Sequence, residues 1–212
     1  MNENTHHVYH TYVASVDELL KMQGSKYVQS DMRNIFKDIQ CFLEEGKYVL
    51  FSGTPCQVAA VKASVSQVLQ SKLFCIDLIC HGVPAPLFWE KTCKYYETKY
   101  KGPIHNISFR QKSKFEKNEF SLSFDVKNGN AKKIRWYKDL YFSLFLKGMC
   151  FSNECYKCQY ACKERVGDIT IGDCATAQNY DFNVDKAVSI ILVNTQKGSQ
   201  IWNEGSKGFE KA

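Results

Sequence analysis

Ten cysteines are spread through the 212 residues, and four of them are packed as Cys150-x4-Cys155-x2-Cys158-x3-Cys162. Thiolates at such short intervals can converge on one metal centre, and a Cys-x2-Cys pair lets a single loop supply two ligands. On spacing alone the segment suits an iron–sulfur cluster and a structural zinc equally. It does not have the bacterial ferredoxin spacing, and no proline follows Cys162. Two further cysteines shift the balance: Cys56 in Gly53-Thr54-Pro55-Cys56-Gln57, and Cys80 in Ile79-Cys80-His81-Gly82. Each stands where an expected strand ends, and in α/β folds that is where ligands are held. Cys56 also falls in the first turn of an expected helix, where the positive end of the dipole suits a thiolate. Together with the close pair they favour a composite four-ligand centre. Cys41, Cys75 and Cys93 lie in apolar periodic segments and read as buried packing residues.

The elements that must position these thiols follow from the apolar pattern. His10 to Ala14 reads as a short strand, and Ser15 caps a helix through Leu20 with Asp17 and Glu18 in its first turn. Asp31 to Glu45 carries Ile35, Phe36, Ile39, Phe42 and Leu43 at helical spacing, and Gly46 stops it. Tyr48 to Phe51 and Leu73 to Ile79 read as buried parallel strands. Between them Thr54 and Pro55 start a helix whose buried face is Val58, Val61, Val65 and Val68-Leu69. A third helix covers Leu87 to Tyr100. This order predicts a parallel sheet with right-handed crossovers.

From Ile104 the period changes. Ile107 to Arg110 and Phe120 to Val126 alternate as half-exposed strands do, and Asn128-Gly129-Asn130 is a turn signal. Tyr137 to Met149 reads as an aromatic helix that feeds the cysteine segment. Asp168 to Gly172 and Ala187 to Asn194 read as strands, and Ser199 to Phe209 as a poorly patterned tail. The expected fold is α/β: a mainly parallel sheet flanked by helices, with an antiparallel β insertion over 104–136 and a Cys-rich cluster-binding loop over 150–165. Residues 1–212 are expected to form one domain, with 1–30 as the tail of a preceding region.

Composition narrows the classes. A chain of 24.4 kDa with 44% hydrophobic and 14% aromatic residues can bury a core of its own. No apolar run reaches membrane-spanning length, and the polar N-terminus lacks a signal-peptide core. The cysteines therefore read as cytoplasmic, reduced thiols. The net charge of +6 is concentrated in Lys101 to Lys117, including Arg110, Lys112 and Lys114, but no aromatic stacking motif accompanies it. Nucleic-acid binding is not expected, while an anionic cofactor or an acidic redox partner is compatible. His6, His7 and His10 read as surface histidines near a terminus. His81 reads as a hydrogen-bonded loop residue, and Arg110 and Arg165 as surface ion pairs. No P-loop, Gly-x-Gly-x-x-Gly or Ser/His/Asp arrangement is present.

Several segments taken in order carry a family resemblance. They are Gly24-Ser25-Lys26-Tyr27-Val28-Gln29-Ser30, Phe51 to Gln57, Asp77 to Pro84, Cys155 to Tyr160, and Arg165-Val166-Gly167-Asp168-Ile169-Thr170-Ile171-Gly172-Asp173. The chain resembles the coenzyme F420 hydrogenase/dehydrogenase beta-subunit family, from about residue 24 to about residue 194. The resemblance implies an iron–sulfur flavoprotein that passes electrons between a [4Fe-4S] cluster, FAD and a partner or deazaflavin-type acceptor. It implies Cys56, Cys80, Cys155 and Cys158 as cluster ligands, with Cys150 and then Cys162 in reserve. It places Lys26, Tyr27, Gln29, Gly53, Thr54 and Gln57 near the flavin. A helix N-terminus and a lysine suit a pyrophosphate, and Gly53 permits close backbone approach. The sequence departs from the family at Gly172-Asp173-Cys174-Ala175, where aromatic residues are usual. It also begins after the N-terminal flavin or ferredoxin-like region of such proteins, so that region or a redox partner protein is expected to complete the function. The alternative is a structural zinc-binding module that docks a protein partner.

Overall fold

The computed structural model of the protein describes residues 6–110, 121–126, 129–174 and 188–208. In chain order the elements are α1 (Val16–Lys21), α2 (Ile35–Glu44), β1 (Val49–Gly53), α3 (Pro55–Ser64), β2 (Leu73–Leu78), α4 (Pro86–Lys99), β3 (Ile104–Ser108), β4 (Ser121–Val126), β5 (Ala131–Arg135), α5 (Leu140–Leu146), β6 (Ile169–Asp173), β7 (Ser189–Val193) and α6 (Gln196–Gly205). Lys112, Lys114, Lys117, Phe120, Asn128, Ala175, Ala187 and Phe209 lie outside the described residues. The fold is mixed α/β as the pattern predicts, and it separates into two compact units. One comprises 1–35 and 82–157, the other 36–81 and 158–212.

The second unit holds a four-stranded sheet in the order β1-β2-β6-β7. β1 and β6 pair parallel to β2, and β7 closes the edge antiparallel to β6. The register sets Gly53 against Asp77 and Asp77 against Thr170, so the parallel strands end nearly level. Val58 and Val61 of α3 are fully buried, as are Leu73 and Cys75 of β2. α2 buries Ile35, Ile39 and Leu43 on one stripe. Cys41 is displaced from that stripe by about half a turn and is exposed, not a packing residue. α2 also starts at Ile35, four residues after the Asp31 at which the sequence reading begins it. Asp31 Oδ1 accepts from the Arg33 amide at 2.9 Å and Arg33 has φ +45°, an Asx turn that competes with helix.

The tail expected after Ser199 is instead helical. Thr195 caps α6 by accepting from the Gly198 amide at 3.0 Å. Gly198 weakens helix periodicity in the sequence but is buried, and a Cβ there would lie 2.2 Å from the Asp168 carbonyl oxygen. The residue that obscures the helix is the one that lets it approach the sheet.

The first unit holds the antiparallel sheet β3-β4-β5, with α4 packed against both β3 and α5. Its core is aromatic: Trp89, Tyr96, Phe109, Phe124, Tyr141, Phe142 and Phe145 are all buried. Asp139 caps α5 from the interior, accepting from the Phe142 amide at 2.6 Å and from the Tyr96 hydroxyl. Burial raises its pKa, while these two hydrogen bonds favour the carboxylate. The strand expected at 10–14 is absent. A single bridge joins Tyr9 to Asp31 in its place, with the His10 amide donating to Asp31 O at 2.8 Å. His6 is not a surface histidine. It is 6% exposed, its carbonyl accepts from Trp89 Nε1 at 3.0 Å, and its Nε2 lies 3.0 Å from Glu97 Oε1.

Candidate functional site

In the second unit Cys56 and Cys80 each follow the carboxyl end of a parallel strand. Cys56 lies three residues beyond Gly53 and Cys80 three beyond Asp77, and those two residues are register partners. The strand–turn–helix geometry fixes Cys56 locally. Pro55 opens α3, and Gln57 Oε1 accepts from the Thr54 amide at 3.1 Å and from the Thr54 hydroxyl at 3.0 Å. Thr54 Oγ1 also sits 3.2 Å from Cys56 Sγ, and Cys56 is exposed. Gly53 is buried. A Cβ on it would meet Gln57 Oε1 and the Phe51 ring at 3.1 Å, so a larger residue would disturb this cap.

The loop carrying Cys158 and Cys162 is tied to the same strand ends by Arg165. Its Nη2 donates to Leu78 O at 2.9 Å and to Asp77 Oδ2 at 3.0 Å, and its Nη1 donates to Cys162 O at 3.4 Å. Asp77 is fully buried and also accepts from the Thr170 hydroxyl, to which Asn194 Nδ2 donates in turn at 2.8 Å. Arg165 is therefore the partner of a buried carboxylate, not of a surface one. Breaking such a pair from one side costs about 3–5 kcal/mol. Asp168 forms a second anchor below. Its Oδ2 accepts from the Cys75 amide at 2.8 Å and its Oδ1 from the Thr195 hydroxyl at 2.8 Å, and Lys62 and Lys197 stand 3.8 Å away. The sequence carried a signal for both anchors, an aspartate set inside an apolar strand run at Asp77 and again at Asp168, with cations some distance away in the chain.

In the first unit the stretch 82–85 runs against 150–152. Pro84 bridges Phe151, Ser152 N donates to Val83 O at 2.9 Å, and Ala85 N donates to Cys150 O at 3.4 Å. Gly82, at φ +123°, lies against the Phe151 ring, where a Cβ would come within 2.5 Å. The backbone that follows Cys80 is thus stitched to the backbone that precedes Cys155. Cys155 sits in a 3-10 turn over Asn153–Lys157, its amide donating to Ser152 O at 2.9 Å. Cys150 is half-buried, and desolvation raises its thiol pKa.

All ten cysteines are free thiols. Among the described residues, no three His, Cys, Asp or Glu side chains are grouped so as to hold a metal ion. The four expected ligands form a soft donor set suited to an iron–sulfur cluster, and ligation has to draw their side chains together. Cys174, for which sequence alone suggests no role, sits past β6, its amide donating to Val188 O at 3.0 Å.

The residues expected near a flavin divide between the units. Lys26 Nζ turns back to donate to Met22 O at 2.9 Å, Gly24 O at 3.0 Å and Gln23 O at 3.4 Å, closing the end of α1. Its side chain is exposed overall, yet drawing the ammonium against these carbonyls removes water from it and lowers its pKa. The Tyr27 ring packs on Phe145 at 4.7 Å, Phe142 at 5.4 Å and Phe109 at 5.8 Å between centroids, while Gln29 is exposed. Gly53, Thr54 and Gln57 form the cap described above. His81 is exposed.

A mainly parallel α/β unit with cysteines at its strand ends, joined to an aromatic antiparallel unit, defines an architecture shared with known proteins. Residues 46–210 match the family described as the C terminus of the coenzyme F420 hydrogenase/dehydrogenase beta subunit, and the chain belongs to that family. Among solved structures it is similar to a chain of the F420-reducing [NiFe] hydrogenase complex from Methanosarcina barkeri, with a TM-score of 0.53 and 17% identity. That likeness, which is one of fold, covers 90% of this chain and 58% of the other, so the protein spans a little over half the length of that relative. No functionally curated protein matches the chain. Among the described residues, no helix is long and apolar enough to cross a membrane.

Proposed function

We propose that the protein is the cluster-holding part of a flavin-linked electron-transfer oxidoreductase. Cys56, Cys80, Cys155 and Cys158 are its [4Fe-4S] ligands, with Cys150 and Cys162 as the nearest substitutes. What carries the reading, beside family membership, is that Cys56 and Cys80 follow register partners while Arg165 ties the Cys158–Cys162 loop to Leu78 O. A cluster held there would supply one-electron transfer. The chain's own residues orient the thiols and fix the strand ends, and none is required as a nucleophile or proton donor. FAD is the proposed electron partner, with Lys26, Tyr27, Gln29, Gly53, Thr54 and Gln57 on the flavin side. The remainder of its site comes from a preceding region or a redox partner protein. Free thiols throughout fit a cytoplasmic setting.

Anaerobic reconstitution with iron and sulfide tests the proposal. The expected product is brown, with about four irons and four labile sulfides per chain. Cys155→Ala should abolish cluster retention, and Cys41→Ala should leave it intact. A colourless protein with neither iron nor sulfide sinks the reading. One tightly held zinc without sulfide would select a structural zinc module instead.

A further inference from the structure

One of the sulfurs assigned to the centre lies against a threonine hydroxyl. Thr54 Oγ1 is 3.2 Å from Cys56 Sγ and 3.0 Å from Gln57 Oε1. A hydroxyl has one hydrogen to give and two lone pairs to accept with. While Cys56 is a thiol, the Thr54 hydroxyl donates to Gln57 Oε1 and can accept from the Cys56 S–H. A sulfur that ligates iron has lost its hydrogen and only accepts. The hydroxyl then has a stronger acceptor on its other side, because a hydrogen bond to an ionised partner is roughly twice as strong as a neutral one. Turning to the sulfur leaves the cap intact, since Gln57 Oε1 keeps the Thr54 amide at 3.1 Å.

The backbone holds this hydroxyl in place. Thr54 stands between the buried Gly53 and Pro55, the first residue of α3, with φ −68° and ψ 157°. A residue before proline is restricted to that extended region, and a β-branched side chain is stiff at χ1. The neighbours of the Cys162 sulfur are of another kind. Its Sγ donates to Glu164 O at 3.3 Å and to Gln159 O at 3.5 Å. Carbonyl oxygens accept and cannot donate, so neither could turn to serve a sulfur that had lost its hydrogen.

We propose, on the cluster reading above, that Thr54 is a positioning residue: it donates its hydroxyl hydrogen to the Cys56 sulfur and so raises the reduction potential of the centre. Reduction adds negative charge to a cluster and its thiolate ligands, and a hydrogen bond to a ligand sulfur strengthens with that charge. The role belongs to the hydroxyl and is separate from any contact of the turn Gly53 to Gln57 with a flavin.

Redox titration of the reconstituted full chain, followed by electron paramagnetic resonance, tests this in three variants. Thr54→Val keeps the branched shape and puts a methyl group where the hydroxyl was. At a fixed applied potential its reduced-to-oxidised ratio is expected to fall about three- to tenfold, a shift of about 28–59 mV at 59 mV per tenfold for one electron. Thr54→Ser retains the hydroxyl and should titrate with the unaltered chain. Gln57→Leu breaks the same cap but leaves the hydroxyl no competing acceptor, so its potential should stay or rise. Circular dichroism verifies the fold of each variant. An unchanged potential in Thr54→Val overturns the proposal, and so does an equal fall in Gln57→Leu, which would make the cap itself responsible. If Thr54→Val fails to load, Thr54→Ala replaces it. Should neither load while Thr54→Ser and Gln57→Leu do, the hydroxyl is required at the sulfur, whereas failure of Gln57→Leu as well overturns its special role. An unaltered chain without iron and sulfide is failure of the cluster reading. An unaltered chain that loads, with Thr54→Val at the same potential, is failure of this proposal alone.

Discussion

Thiols in one chain can differ widely in chemistry because burial acts on each separately. Cys75 is fully buried, and loss of solvent pushes its pKa from 9.0 to about 11, which cuts the thiolate fraction near pH 8 about a hundredfold. Burial likewise drives Cys93 well above the ordinary thiol range, with Glu97 adding to the effect. Cys41, Cys56 and Cys162 are exposed. Brief iodoacetamide treatment of the metal-free protein should therefore label those three first and leave Cys75 and Cys93 for last, as read by peptide mass spectrometry. After reconstitution Cys56 should drop out of the labelled set while Cys41 stays in it. Equal labelling of Cys56 before and after would remove it from the ligand list. At this scale the sequence was informative about residue type and misleading about burial. Cys41 follows an apolar run, but only the three-dimensional stripe Ile35, Ile39, Leu43 decides which side of α2 faces inward. His6 was misread for the opposite reason: its anchors, Trp89 and Glu97, lie more than eighty residues away in the chain.

Elements were legible where their signals are local. Ser15 and Glu18 start α1, Thr54-Pro55 starts α3, and Gly46, at φ +84°, follows α2 as a stop. α6 was hidden because Gly198 lies in its first turn, and its reason is a tertiary one. Helix propensity alone says that Gly→Ala stabilises a helix by about 1 kcal/mol. The contact with the Asp168 carbonyl reverses the sign. Gly198→Ala is expected to destabilise the protein by about 1–3 kcal/mol, the usual cost of overpacking. A thermal melt reads this directly, and a raised melting temperature would mean that α6 does not seat against Asp168 as described. The same logic explains why the strand-end positions of Cys56 and Cys80 were readable and the supports around them were not. Cys56 and Cys80 could be assigned to strand ends from short apolar runs. The Arg165–Asp77 pair that ties the cysteine loop to β2 joins residues 88 apart, and no local pattern marks such a pairing.

Across the whole molecule, each compact unit is assembled from two stretches that are distant in sequence. The first unit is completed by residues near the N-terminus, which reach the aromatic core through the Trp89 indole and the His6 carbonyl. Such nonlocal closure is slow to form. One consequence follows from the placement of that indole. The ring is 3% exposed while its nitrogen gives its only hydrogen to the backbone of the terminal segment. Removing residues 1–7 should let water reach it and move tryptophan emission to longer wavelength, and unchanged emission would mean that the segment does not seal the ring. The molecule thus carries a built-in optical gauge of whether its leading edge is seated.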